Sequence, residues 1–372
     1  MAYVAARGGE QAIQQAEQLF QQLNGPIDAA LVAAIERQMP YLVDRVMGES
    51  SLYAPQLAAL ALAQTGGDLY EAVLLLRAYR STQPRLAYAA PVDAGSTQTL
   101  RRISAAFKDI PGGQILGPTL DYSHRLLRTD LLAEREDSRR ANREHRDLGP
   151  ALDAEPSNSE ASTFNPQLPP VADWLRLNGL LSPLAASAPV DPAAIPDITR
   201  EAPHFPAPRA HRLQALARAD TGGVLALGYA SMRGYGLIHP TVNEIRLGYA
   251  DVRLTHPVSG VQFSAGRMRV SQAEVVSSHA ARLEVGFAAT LGWNEVKVIA
   301  AAMLDLEMDK PAAHPAHSEE FVLYHTESVE ASGFCIHYKL PHYVTFSSDL
   351  DALRRARQAG GTGQAPGGGG HL

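Results

Sequence analysis

Cysteine is nearly absent from this chain of 372 residues: Cys335 is the single one, so no intrachain disulfide can form and nothing points to an oxidising compartment. Long apolar runs are missing too. The stretch Leu57–Ala63 is far too short to span a bilayer, and the opening Met1-Ala-Tyr-Val-Ala-Ala-Arg-Gly-Gly lacks the order of a cleavable signal. The expectation is a cytoplasmic protein with no membrane segment. Charge of one sign is scarce: charged residues are 19% of the chain and the formal charge is −6. That excludes a global basic field for nucleic acid or anionic lipid, so any anion site has to be local. Several enzyme signatures are also lacking. There is no Gly-x-Ser-x-Gly elbow, no His-Glu-x-x-His, no dinucleotide fingerprint and no Walker lysine after a glycine loop. No repeat of fixed period appears, which excludes solenoids and propellers.

What is present divides into four parts. Residues 1–128 read as a mainly helical domain, with apolar positions recurring at three and four in Gln11–Leu23, Ile27–Arg37, Gln56–Ala63 and Tyr70–Tyr79. Before it, Ala2–Ala6, Gly8-Gly9 and Glu10 suggest a short strand, a turn and a helix start that could hold an anion. Residues 129–198 read as a charged, then Pro/Ala-rich linker or insertion: mixed charges run from Arg128 to Asp147, and nine prolines follow from Pro150 to Pro196. An apolar patch at Val171–Leu181 predicts a short docking helix in it.

Residues 199–358 read as a mixed α/β domain. His211–Ala219 looks helical, and Val224–Met232 suits either element. Glu244–Leu254 and Gly260–Val270 look like strands around a Pro-Val-Ser-Gly turn. Asn294 suits the cap of a helix through about Met308, Ser318 that of another ending at Gly333, and Ser347 or Ser348 that of the last, ending near Arg357. The glycine-rich 359–372 cannot bury enough surface to offset its ordering entropy and is expected to be disordered. The predicted fold class is α+β: a helical N-terminal domain followed by a mixed α/β domain with a mainly antiparallel sheet.

Three segments could carry chemistry. In Arg101–Arg125, the cations Arg101, Arg102, Lys108 and Arg125 outnumber Asp109 and Asp121, and Gly112-Gly113 lets the backbone approach a ligand closely. The pattern suits a polyphosphate or phosphonate, although paired arginines beside a turn are also an ordinary solvated surface. The loop Arg233-Gly-Tyr-Gly-Leu-Ile-His239-Pro240 combines a cation, the Tyr235 ring and flexible glycines, as a lid or base-stacking loop would. His239, Glu244 and Arg246 are weaker candidates. In Phe334-Cys-Ile-His-Tyr-Lys-Leu-Pro-His-Tyr-Val, His337 and His342 lie five positions apart, which neither an unbroken strand nor a helix brings together. A bend at Pro341 between two short strands could converge them on one metal ion, with His325 or Cys335 as possible further donors. The plainer readings are polar strand ends, an exposed His325 and a core cysteine.

Taken with Tyr3–Ala12, Val43-Asp-Arg-Val-Met47, Leu74–Arg80, Asp197-Ile-Thr-Arg200, Arg233-Gly-Tyr-Gly236 and Leu340-Pro-His-Tyr343, the long block Arg101–Leu127 resembles the I-subunit family of the bacterial carbon-phosphorus lyase core complex. Only the linker and the glycine tail fall outside the likeness. The resemblance implies a ribose 1-methylphosphonate 5-triphosphate synthase that displaces adenine from ATP with methylphosphonate, a transferase with nucleosidase-type chemistry. It also implies work in concert with the G, H, J, K and L subunits, two copies per core complex, and zinc at His337 and His342 near the radical J subunit. Magnesium would accompany ATP. On that reading Arg101, Arg102, Lys108 and Arg125 hold phosphate, Arg233 and Tyr235 contact substrate, and Asp109, Asp121 or His124 handle protons or position the sugar. The alternative is a non-catalytic scaffold that presents metal and surface to the radical subunit.

Overall fold

The computed structural model describes residues 9–131, 168–181, 195–235, 240–279, 282–308, 310–311, 314–339 and 343–360. The N-terminal strand, most of the charged and proline-rich stretches, His239, His342 and the glycine tail lie outside the described residues. The described chain falls into two compact units, Ile27–Val329 and a smaller one formed from Met1–Pro26 and Glu330–Leu372. The fold is α+β, as the sequence predicts. No helix among the described residues is long and apolar enough to cross a membrane.

The larger unit opens with helices α2 (Ala29–Gln38), α3 (Pro40–Ser50), α4 (Pro55–Gln64) and α5 (Leu69–Ser81). Asp28 and Asp68 start α2 and α5 by accepting hydrogen bonds from backbone N–H groups of the first turn. Pro40 and Pro55 start α3 and α4, where the missing N–H is no loss. Their apolar faces close on Val43, Val46, Met47, Leu62, Val73 and Leu76.

The sheet is an antiparallel meander in the order β1 (Gln98–Ile103), β2 (Thr241–Thr255), β3 (Gln262–His279) and β4 (Arg282–Leu291). The anticipated hairpin turn is present, with Thr255 paired to Gln262. Helices α7 (Arg209–Arg218), α8 (Thr221–Ala230), α9 (Glu295–Glu307) and α10 (Glu319–His325) complete this unit's second core, in which Ala273, Val275 and Ala288 of the sheet meet Val298, Ala302 and Leu304 of α9. Gly286 lets α9 come close: a Cβ there would lie 2.0 Å from the Ala302 carbonyl oxygen. The expected docking helix is α6 (Val171–Leu177), whose Trp174 ring stands edge-on to Phe107 at 4.6 Å.

The smaller unit holds α1 (Gly9–Asn24), the body of α11 (Ser328–Ile336), a 3-10 turn at His337–Lys339 and α12 (Tyr343–Gly360). Here the structure corrects the sequence reading. Phe334 to Lys339 is helical rather than strand, and the last helix begins at Tyr343, ahead of Ser347. Cys335 is exposed instead of packed in a core. The helix expected from Ser318 to Gly333 is two helices, broken where α10 ends on Thr326.

Candidate functional site

The end of the Arg101–Arg125 segment forms one wall of a cleft of about 640 Å³. Thr119, Asp121 and Arg125 line it from the loop; Tyr41 and Arg45 line it from α3. Its third side is the start of two helices, Thr221 on α8 and Trp293, Asn294 and Glu295 at α9, with Leu247 of β2 below.

Arg101 explains why the loop sits there. It is buried, and its guanidinium donates to Glu295 at 2.5 Å, to the Leu116 carbonyl at 2.5 Å and to Asp121 at 3.1 Å. A single β1 side chain thus ties the loop to the first turn of α9. Gly117 permits the same approach, because a Cβ there would lie 2.4 Å from the Leu100 carbonyl oxygen and its φ is +60°. Arg125 reaches Asp121 at 3.0 Å from the exposed rim.

Opposite, Arg45 donates to Glu49 at 2.8 Å and to Asp220 at 3.1 Å. Burial works against its charge, but the two carboxylates more than offset that and raise its pKa. Glu49 also accepts from the Thr221 backbone and hydroxyl, and Asn294 donates to that hydroxyl at 3.1 Å while capping α9 through Lys297 N–H. Beneath this network Lys297 is wholly buried, with its ammonium on the Ala217 carbonyl at 2.7 Å; burial pushes its pKa down to about 8. The Trp293 side chain is held by its indole N–H on the Gly248 carbonyl and by Arg269 over its ring at 5.6 Å.

The cleft therefore mixes signs. Arg45, Arg125 and two helix N-termini favour anions. Asp121 and Glu295 offer negative charge beside them. Such a lining suits a ligand with a phosphate-bearing end and a centre that turns cationic during reaction.

The other predicted residues are dispersed. Lys108 and Asp109 are exposed and do not line the cleft, and His124 is exposed between the lining residues Ser123 and Arg125. Arg102 is a correction to the phosphate-holding set. It is fully buried and donates to Glu244 at 2.6 Å and to the Pro111 and Pro169 carbonyls. Glu244 also accepts from Arg246 at 2.9 Å and from Val171 N–H at 3.1 Å, so these three charged side chains pin the start of α6 to the sheet. Arg233 lies in a π-turn after α8, its guanidinium 5.8 Å from the Tyr229 ring; Tyr235 closes that turn, with its side chain outside the described atoms.

His337 is exposed and packs against the rings of Phe334 and Tyr338, at 5.3 and 4.1 Å. Its partner His342 is not described. Among the described residues no group of three or more His, Cys, Asp or Glu is placed to hold a metal ion. His325 stacks on Phe321 at 3.9 Å and hydrogen-bonds that residue's carbonyl. Sequence reasoning missed Tyr41, Arg45, Thr221, Trp293 and Glu295 as cleft residues. The signals were Asp220-Thr-Gly-Gly and Trp293-Asn-Glu, each a helix start opening on the same space.

A family model described as "Bacterial phosphonate metabolism protein (PhnI)" matches residues 2–360. A curated protein of Stutzerimonas stutzeri, "Putative C-P lyase subunit protein HtxH", is 45% identical over 371 residues, covering 95% of both chains. Two proteins named "Alpha-D-ribose 1-methylphosphonate 5-triphosphate synthase subunit PhnI" are also similar. That of Escherichia coli (strain K12) is 41% identical, covering 96% of this chain and 98% of its own. That of Rhizobium meliloti (strain 1021) is 39% identical, covering 98% and 97%.

Proposed function

The chain belongs to the bacterial phosphonate metabolism protein (PhnI) family, and from that membership we propose that it is a subunit of ribose 1-methylphosphonate 5-triphosphate synthase whose cleft carries out the displacement of adenine from ATP. The observation that carries this reading is the mixed-charge lining of the cleft. A methylphosphonate oxygen attacks C1′ of the ribose, the C1′–N9 bond breaks, and adenine leaves with a proton. Positive charge builds on the ribose in the transition state, where Asp121 and Glu295 stabilise it. Arg45 and Arg125 align the phosphate and phosphonate oxygens, and His124 on the same loop donates the proton to the leaving base. Magnesium supplied with ATP would screen the triphosphate.

Zinc belongs to the proposal as a second element. An exposed imidazole is a good zinc donor, and two imidazoles are fewer ligands than a closed zinc site uses. His337 and His342 would hold the ion together with donors of the radical subunit, and the ion would supply Lewis acidity there. The partners would be the G, H, J, K and L subunits, in the cytoplasm. A scaffold role is favoured by one observation: Phe334, Tyr338, Val344 and Phe346 are each more than half exposed, at 65, 55, 64 and 63%.

The test is adenine release from ATP and methylphosphonate by the assembled complex, with zinc content measured in parallel. Arg125→Gln and Asp121→Asn are expected to lower turnover about tenfold to a hundredfold while the complex assembles, each removing a charged hydrogen-bonding group. His337→Ala is expected to lose zinc. Parent-rate turnover in both cleft variants would leave the scaffold reading standing.

A further inference from the structure

Five arginines gather away from the residues that line the cleft. Arg77 and Arg80 come from the end of α5, Arg85 from the chain just after it, Arg200 from the turn that follows Asp197, and Arg218 from the last position of α7. Two hollows, of about 380 and 430 Å³, share Arg80, Arg85 and Thr199 in their walls; Arg200 lines the first and Arg218 the second.

Among the described residues two carboxylates stand in this cluster. Arg85 pairs with Asp197, which the Thr199 N–H and hydroxyl also hold. Glu327 pairs with Arg77 and, at 3.7 Å, with Arg218. Among the described residues neither Arg80 nor Arg200 is in direct ion-pair contact with a carboxylate, Asp197 acting on Arg80 only through space, and the buried Arg218 Nε has no hydrogen-bond acceptor. Arg85 is steadied over the Tyr88 ring at 4.9 Å. Five positive groups against two negative ones leave an excess of three. Burial, then the neighbouring cations, lowers the pKa of Arg218 to about 10, and burial leads a fall at Arg80 as well. Like charges crowded into a half-buried space repel unless an anion joins them.

We propose that these hollows form a second anion site that takes a polyphosphate chain, such as the triphosphate of a nucleotide or of a sugar. Guanidinium forks match phosphate oxygens in pairs, and an excess of three calls for a multiply charged ligand rather than a single carboxylate. The combined space exceeds what one orthophosphate fills. Asp197 and Thr199 fix the edge of the site by keeping the turn in place and Arg85 aimed across it. This site does not depend on the assignment of chemistry to the first cleft, because no residue lines both.

The test is calorimetric titration of the full-length chain with inorganic tripolyphosphate, with orthophosphate in a parallel arm and thermal melting of every variant. The parent is expected to bind tripolyphosphate well above orthophosphate, with affinity that falls as salt rises. Arg80→Gln with Arg200→Gln is expected to weaken that binding tenfold or more, and Arg200→Gln alone, at an exposed position, to weaken it severalfold if the double variant melts early. Arg125→Gln, which removes a phosphate contact of the first cleft, is expected to leave the second binding event in place. Binding that survives the double variant in an Arg125→Gln background, or that vanishes with Arg125→Gln alone, overturns the site. So does a double variant that keeps tripolyphosphate binding but no longer joins its partner subunits, which would make an acidic segment of a partner the occupant.

Discussion

Arg102 offers a direct measurement of whether a charge serves a ligand or the fold. The perturbation is Glu244→Gln, which keeps the side-chain shape and removes the negative charge. Glu244 accepts from Arg102 at 2.6 Å, from Arg246 at 2.9 Å and from Val171 N–H at 3.1 Å, and both guanidiniums are almost wholly buried, at 1 and 2% exposure. Without the carboxylate, buried Arg102 loses its ion-pair partner and Arg246 keeps, among the described residues, only the through-space pull of Glu274; breaking a buried pair in this way costs about 3–5 kcal/mol. That is a large share of the roughly 5–15 kcal/mol that holds a domain folded. In a unit of this size 1 kcal/mol moves the melting temperature by about 2–4 °C, so the expected fall is roughly 6–20 °C. Urea unfolding should show a lower midpoint with an unchanged slope. Arg102→Met should cost less, because Arg246 still faces Glu244. The double variant should depart from additivity by about 1–3 kcal/mol, since the two residues share one network. A Glu244→Gln protein melting within 2 °C of the parent would refute the brace and return Arg102 to the pool of ligand-binding cations.

Two more expectations follow from buried groups. Burial raises the Asp44 carboxyl to about 6 from 3.8, against the opposing pull of Arg269 and the Trp293 N–H. Between those pH values the native chain holds a proton that the unfolded chain has released, so this residue's contribution to stability declines as pH rises from 4 to 6, by about 3 kcal/mol. Urea midpoints of the parent minus those of Asp44→Asn should therefore fall across that window, and parallel curves would refute it. Gly286→Ala places a Cβ 2.0 Å from the Ala302 oxygen and 2.8 Å from Leu306 Cβ, forcing α9 off the sheet. A loss of at least about 1–3 kcal/mol is expected. The contrast is Gly333→Ala on α11, where nothing lies within 4 Å and a gain of up to about 1 kcal/mol is expected; equal melting of the two variants would contradict the packing.

Capped, amphipathic elements were legible in the sequence. Asn294 announces α9, and the apolar spacing of Leu69–Ser81 announces α5, because each pattern is local and needs no knowledge of what packs on it. Helix α3 was not legible: Val43, Asp44 and Val46 through Ser50 are all buried, so it lies inside the unit and has no polar stripe to set a period. Strand β4 carries glycine and two alanines where a strand pattern wants bulk, and the reason, the seat of α9 at Gly286, is tertiary. Phe334-Cys-Ile-His-Tyr reads as a strand by residue preference, yet it ends a helix. Propensity is a weak prior that context overrides.

The cleft illustrates the same division between local and distant information. Asp121 and Arg125 could be named from one segment, since their charges and the glycines beside them are neighbours in the chain. Arg45, Thr221 and Glu295 could not, because they meet that loop only through contacts distant in sequence: Arg101 reaches Asp121 across 20 positions and Glu295 across 194. The same side chain decides how the cleft can respond to mutation. Replacing Asp121 removes one charge from the lining but leaves the Arg101–Glu295 bond and the Leu116 contact, so the loop keeps its place. Replacing Arg101 releases three attachments at once. A cleft variant at 121 or 125 therefore reports on chemistry, whereas one at 101 reports on architecture, and the two classes separate by whether turnover falls without a change in melting temperature.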